Sequence, residues 1–133
     1  MPSSSNKDFV FALHEASIDN WKSFNTVADE NCLKSLAKQV EKCQSDPINA
    51  GGGFHIGTVD LYGGSVRKLY IGGRKKYRLI YYVNARLQLV VCLYISEVNR
   101  ADLDYKSVNC ADMVNEIVND LKNGNSSRFH EVS

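Results

Sequence analysis

An α+β fold is what this sequence predicts: a small, mainly antiparallel sheet with an N-terminal helical hairpin on one face and a C-terminal helix. Three observations carry that expectation. Residues 66–95 hold three runs of apolar, β-branched and aromatic residues parted by short turn signals. Apolar residues recur at helical spacing between Ile18 and Val40, and again from Met113 to Leu121. The 133 residues, 44% hydrophobic and 23% charged, suit a single globular domain over 1–133 with a genuine core.

In chain order, residues 1–8 are polar and expected to be flexible. Phe9 to Leu13 reads as a short buried strand. Ile18, Trp21 and Phe24 give a short amphipathic helix. Thr26-x-x-Asp29 resembles a capping box ahead of a second helix with Leu33, Leu36, Ala37 and Val40 on one face. Pro47 stops that helix, because proline lacks the donor the next turn needs. Residues 48–65, rich in glycine, read as a flexible connection. They lack the GxxxxGK[ST] pattern of a phosphate loop. Strands follow over 66–71, 74–83 and 87–95, then the C-terminal helix, with Gly124 placed to cap it. Residues 125–133 are expected to fray.

Several function classes drop out. No run of 18 apolar residues exists, and the N-terminus lacks the apolar core of a secretion signal. Cys32, Cys43, Cys92 and Cys110 form no CxxC pair and are too sparse for a disulfide scaffold. The expectation is a reduced, cytoplasmic protein with no membrane association, no metal and no cofactor.

Charge is unevenly spread. Residues 61–96 hold seven basic residues and no acidic one, so the rest of the chain carries −6 against a total of +1. Such a basic stripe is the footprint of a polyanion site. If Gly72-Gly73 forms a two-residue hairpin turn, Arg67 faces Arg78. One face of the sheet then carries Arg67, Arg74, Lys76 and Arg78 with Ile80 and Tyr82. The other carries Tyr77, Leu79, Tyr81 and Val83 and receives the helical hairpin. A three-residue turn at 84–86 extends the same pattern to the third strand. Like charges directly opposed destabilise a sheet, so this register predicts an anion, or a carboxylate from elsewhere in the chain, between Arg67 and Arg78.

Five segments together resemble the RelE-like toxins of bacterial toxin–antitoxin pairs, including the HigB branch. Ala16 to Lys22 is similar to that family's first helix, and Leu33 to Pro47 to its second helix and stop. Gly63-Gly64-Ser65-Val66-Arg67-Lys68-Leu69 resembles the start of its basic strand. Lys76-Tyr77-Arg78-Leu79-Ile80-Tyr81-Tyr82-Val83 resembles its YR-[LVI]-[IV]-Y strand, and Asp102-Leu103-Asp104-Tyr105 the segment before its last helix. The resemblance implies an endoribonuclease that cleaves messenger RNA without a metal, often on the ribosome, and is blocked by a cognate antitoxin. It assigns Arg78 to the phosphate, Arg67 or Lys68 to the basic strand, and Arg100 and Tyr105 to the basic residue and tyrosine after the last strand. Arginine suits the phosphate because its planar fork binds two oxygens at once. Lys68, Arg74, Lys76 and Tyr82 are the expected RNA contacts. His14, His55 and His130 have no evident partner and read as incidental. Two other functions stay open: a ParE-like gyrase inhibitor, and a non-enzymatic nucleic-acid-binding module.

Overall fold

The computed structural model describes residues 8–98 and 103–132, and the side chains of these apart from residues 75 and 103–109. The elements are β1 (Val10–His14), α1 (Ile18–Val27), α2 (Glu30–Ser45), α3 (Pro47–Ala50), β2 (Gly52–Gly53), β3 (Ser65–Ile71), β4 (Tyr77–Asn84), β5 (Leu89–Glu97), α4 (Leu103–Asn123) and β6 (Phe129–Glu131). Among the described residues the strands form one sheet in the order β2-β3-β4-β5-β1-β6. β1 runs parallel to β5, and the remaining pairs are antiparallel. The expected α+β class is formed. No helix among the described residues is long and apolar enough to cross a membrane.

The sheet is covered on both sides. Leu69, Ile71, Leu79, Tyr81 and Val83 pack with Phe24 of α1 and with Leu36, Val40 and Cys43 of α2. Val66, Ile80, Tyr82, Val91 and Leu93 pack with Val114, Ile117 and Val118 of α4. Every β4 residue from Leu79 to Asn84 is therefore buried, whichever way it points. Each large apolar side chain so buried contributes about 1.5–3 kcal/mol.

The helical boundaries follow local chemistry. The residue that caps α2 is Asp29 and not Thr26: Asp29 Oδ1 accepts from Cys32 N at 2.8 Å, satisfying a donor of the first turn. Thr26 lies within α1 and donates to Lys22 O. Pro47 ends α2 and opens α3, since a first helical position needs no N–H. Gly124 follows α4 at φ +72°, a conformation glycine adopts without a Cβ penalty.

The strand register differs from the expected one. Arg67 faces Tyr81, Leu69 faces Leu79, and Arg78 faces Tyr70 on one side and Ser96 on the other. The turn between β3 and β4 takes residues 72–76, with a 3₁₀ turn at Gly73–Lys75 and Arg74 at φ +61°. It is held from outside: Gly72 N donates to Ser35 Oγ of α2, and Lys76 O accepts from Val98 N. The next turn is longer too, so Val83 faces Val90 rather than Leu87, and a bulge in β5 shifts the pairing between Ile80 and Tyr81. Each longer turn displaces the pairing by three residues, which reverses the neighbouring strand's side chains; beyond the bulge the displacement on β5 is four, so Tyr94 to Glu97 regain the expected sides.

The tail is ordered where fraying was expected. β6 pairs with β1, and Val132 N donates to Phe11 O at 2.8 Å.

Candidate nucleic-acid interface

Two cross-strand rows define the basic surface. Tyr70, Arg78 and Ser96 stand abreast on β3, β4 and β5, and Lys68, Ile80 and Tyr94 form the next row. Alternation puts all six on the α4 side of the sheet. Lys68, Tyr70, Arg78, Tyr94 and Ser96 are partly exposed, whereas Ile80 is fully buried. Phe54 joins them from the loop after β2. Its ring centroid lies 5.9 Å from Lys68 Nζ and 6.0 Å from Arg78 Cζ. On its other side Arg78 Cζ is 5.9 Å from the Tyr70 ring. Aromatic rings at this range attract a cation without neutralising it.

No carboxylate of a described residue pairs with Lys68 or Arg78; the lysine and arginine ion pairs among the described residues belong to Lys34, Lys122 and Arg128, elsewhere in the molecule. Glu97 is next to Ser96 but faces Tyr77, so alternation turns it toward the opposite side. Arg78 Nε and Ser96 Oγ, in directly opposed residues, are both buried without a hydrogen-bond partner among the described residues. Arg67 Nε shares that condition elsewhere in the molecule. An anion could take hydrogen bonds from Arg78 and Ser96 at little further desolvation cost, because those groups have already left water.

The other expected contacts are dispersed. Arg67 stands on the helical-hairpin face, where Nη1 donates to Gly51 O at 3.0 Å; it does not face Arg78, because the longer turn reverses β3. Arg74 sits exposed at the apex of that turn. Lys76 ends the same turn, exposed, with Nζ 5.5 Å from the Tyr77 ring and its charge acting on Asp29. Tyr82 shares the Arg78 face but is fully buried. Its hydroxyl donates to Leu61 O at 2.8 Å and accepts from Asn84 Nδ2, so it packs beneath α4 rather than meeting RNA. Burial raises the Tyr82 pKa. Arg100 lies outside the described residues. Tyr105 falls within α4 with its side chain outside them.

No protein-family model and no curated protein matches the sequence. Solved structures do. The archaeal RelE–RelB complex from Pyrococcus horikoshii OT3 contains a chain that matches at a TM-score of 0.53 and 16% identity, over 71% of this chain and 99% of that one. The fold is RelE-like. The isolated E. coli RelE toxin matches at a TM-score of 0.48 and 20% identity, over 76% of this chain and 96% of that one.

This RelE-like chain carries a second polar cluster, far from Arg78 in the sheet order. His14 Nε2 is 2.6 Å from Asp120 Oδ2, and both residues are buried. His14 Nδ1 accepts from Ala16 N, which leaves the ring proton on Nε2, pointing at Asp120. Arg128 Nη1 reaches Asp120 at 2.9 Å, Nη2 reaches Glu116 at 2.5 Å, and Nε reaches Glu15 at 3.2 Å. Hydrogen bonds from Asn125 and His14 lower the Asp120 pKa, and Glu116 leads the groups that raise that of Arg128. His14, Glu116 and Asp120 have the spacing of metal ligands. The guanidinium already binds both carboxylates, and His14 Nε2 holds a proton where a metal would need a lone pair. The cluster reads as the clasp that fixes the C-terminal segment. His14 is thus structural rather than incidental.

Phe54, Tyr70, Ser96 and the clasp were not singled out from the sequence. An aromatic flanked by glycines in a loop was the available signal for Phe54. The other residues depend on register or on contacts between chain ends.

Proposed function

We propose that this chain is the toxin of a toxin–antitoxin pair, an endoribonuclease that cleaves messenger RNA by attack of a ribose 2′-hydroxyl on the adjacent phosphate. The observation that carries the reading is the placement of Lys68 and Arg78 on one sheet face, beside Phe54 and Tyr70, with no described carboxylate against them. Negative charge grows on the phosphoryl oxygens as the 2′-oxygen attacks. Arg78 offers a planar fork to those oxygens, and Lys68 adds a point charge. Ser96 Oγ donates from the adjacent strand. The reaction expels the 5′-oxygen, which takes up a proton, and leaves a 2′,3′-cyclic phosphate. Arg100 and Tyr105 are proposed for the proton transfers on the strength of the family resemblance alone.

The proposed partners are a cognate antitoxin and messenger RNA, free or on the ribosome, in the cytoplasm. No metal is required, because the cations of the side chains supply the charge. Purified protein should cut RNA in the presence of a chelator, and Arg78→Ala should slow cleavage by about 10²–10³-fold. RNA left intact both free and in a translating extract would sink the reading; inhibition of gyrase supercoiling by the same sample would replace it with the ParE-like one.

A further inference from the structure

We infer that Phe54 is the base-stacking platform of the interface, reading the nucleotide whose phosphate lies against Lys68 and Arg78. The inference rests on the nucleic-acid reading above and adds a specificity-determining residue to it.

The placement of Phe54 is built, not incidental. Gly51 runs so close to β3 that a Cβ there would lie 2.2 Å from Lys68 O and 2.8 Å from the Tyr81 hydroxyl oxygen. Only glycine lets the chain lie down on β3 at that point. Gly52 and Gly53 then pair with Lys68 and Arg67, and Phe54 N donates to Val66 O at 2.9 Å. Two residues on, Ile56 is 8% exposed in the α4-side core and holds the loop down. Phe54 is thus fixed on both sides while its own side chain stays partly exposed. Its neighbours on the β3–β4 surface are two cations, at 5.9 and 6.0 Å, rather than a carboxylate.

An aromatic ring next to paired cations matches the two parts of a nucleotide. The phosphate is held by charge and the base by its π face. Stacking accepts unpaired bases and adds to phosphate binding without adding charge. Duplex RNA keeps its bases stacked on one another, so the platform selects a single-stranded segment. The competing explanation is that Phe54 only covers the apolar residues under α4.

A single-stranded 2′-O-methyl RNA with one 2-aminopurine separates the two, because it binds without being cleaved. The folded wild-type protein should quench the 2-aminopurine. Phe54→Leu preserves apolar cover; it should abolish the quenching and weaken binding about tenfold, with the salt dependence of binding unchanged. Phe54→Trp should restore both. Lys68→Ala should instead reduce the salt slope by about 0.7, the share of one phosphate contact on a single strand. Absence of quenching in the wild-type complex overturns the inference whatever the variants do, and so does Phe54→Leu binding and quenching like wild type. In either case cleavage by the wild-type protein would leave the ribonuclease reading standing. A wild-type protein that fails to bind the oligonucleotide at all overturns the inference, and the ribonuclease reading falls with it only if RNA also stays intact in a translating extract.

Discussion

Arg67 and Arg78 belong to one basic run but serve opposite faces of the sheet. Arg67 ties Gly51 to β3 through a backbone carbonyl, whereas Arg78 stands between the Phe54 and Tyr70 rings with no described carboxylate paired to it. The two alanine variants should therefore separate. Arg67→Ala should lower thermal stability while leaving RNA affinity and its salt slope within about twofold. Arg78→Ala should leave the melting temperature nearly unchanged and flatten the salt slope by about 0.7, the share of one phosphate contact on a single strand. Thermal melts and anisotropy titrations on both variants check this. Three of the four cysteines are poor nucleophiles for a related reason. Burial pushes the Cys43 thiol up to about 12, and it raises Cys92 and Cys32 as well. A thiol attacks only as the thiolate. Iodoacetamide at pH 8 should leave Cys43 and Cys92 unmodified in the native protein and label them after unfolding, as mass spectrometry would read directly.

At the level of elements, α3 and the loop behind it are fastened to the sheet by a few contacts. Tyr81 donates its hydroxyl to Pro47 O at 2.6 Å, from a fully buried side chain. Tyr81→Phe should cost about 1 kcal/mol by urea titration, the usual net value of one hydrogen bond, and more if the carbonyl is left dry. Gly51→Ala should cost about 1–3 kcal/mol, because the added methyl meets backbone that cannot yield. It should also weaken RNA binding by moving Phe54. α4 is docked chiefly by Val114, Ile117 and Val118. Ile117→Ala removes a fully buried side chain and should cost about 2–5 kcal/mol.

For the whole molecule, the C-terminal clasp joins β1, α4 and the tail, so its chemistry sets an acid limit. Asp120 has a folded pKa below the ordinary carboxyl value of 3.8. Asp29 and Asp60 are shifted the same way, by Cys32 N–H and by Lys122. A carboxyl depressed in this way stabilises the fold at every pH above its unfolded value. The gain is lost as pH falls through the lower folded value. The melting temperature should hold from neutral pH to about pH 4 and drop below it. Asp120→Asn should lower the melting temperature at pH 7 and make the acid drop shallower. A clasp of no consequence would leave both curves superimposed.

The sequence by itself determined the layer pattern. Helical spacing at Ile18–Val40 and Met113–Leu121, apolar runs over 66–95 and a proline stop at Pro47 gave the α+β class, and the basic run pointed to Lys68 and Arg78. Register lay beyond it. β4 is apolar on both sides because α1 and α2 cover one face and α4 the other, so its run of residues does not say which side each belongs to. The choice fell to contacts made at a distance, Ser35 on Gly72 and Lys76 on Val98, which lengthened a turn that Gly72-Gly73 would otherwise have closed in two residues. The tail behaved alike. Residues 125–132 look polar and loose in isolation, and they are held because Arg128 meets Glu15 after β1 and Glu116 and Asp120 on α4. Local physics chose the elements, and pairing between distant segments chose which side chains share a face.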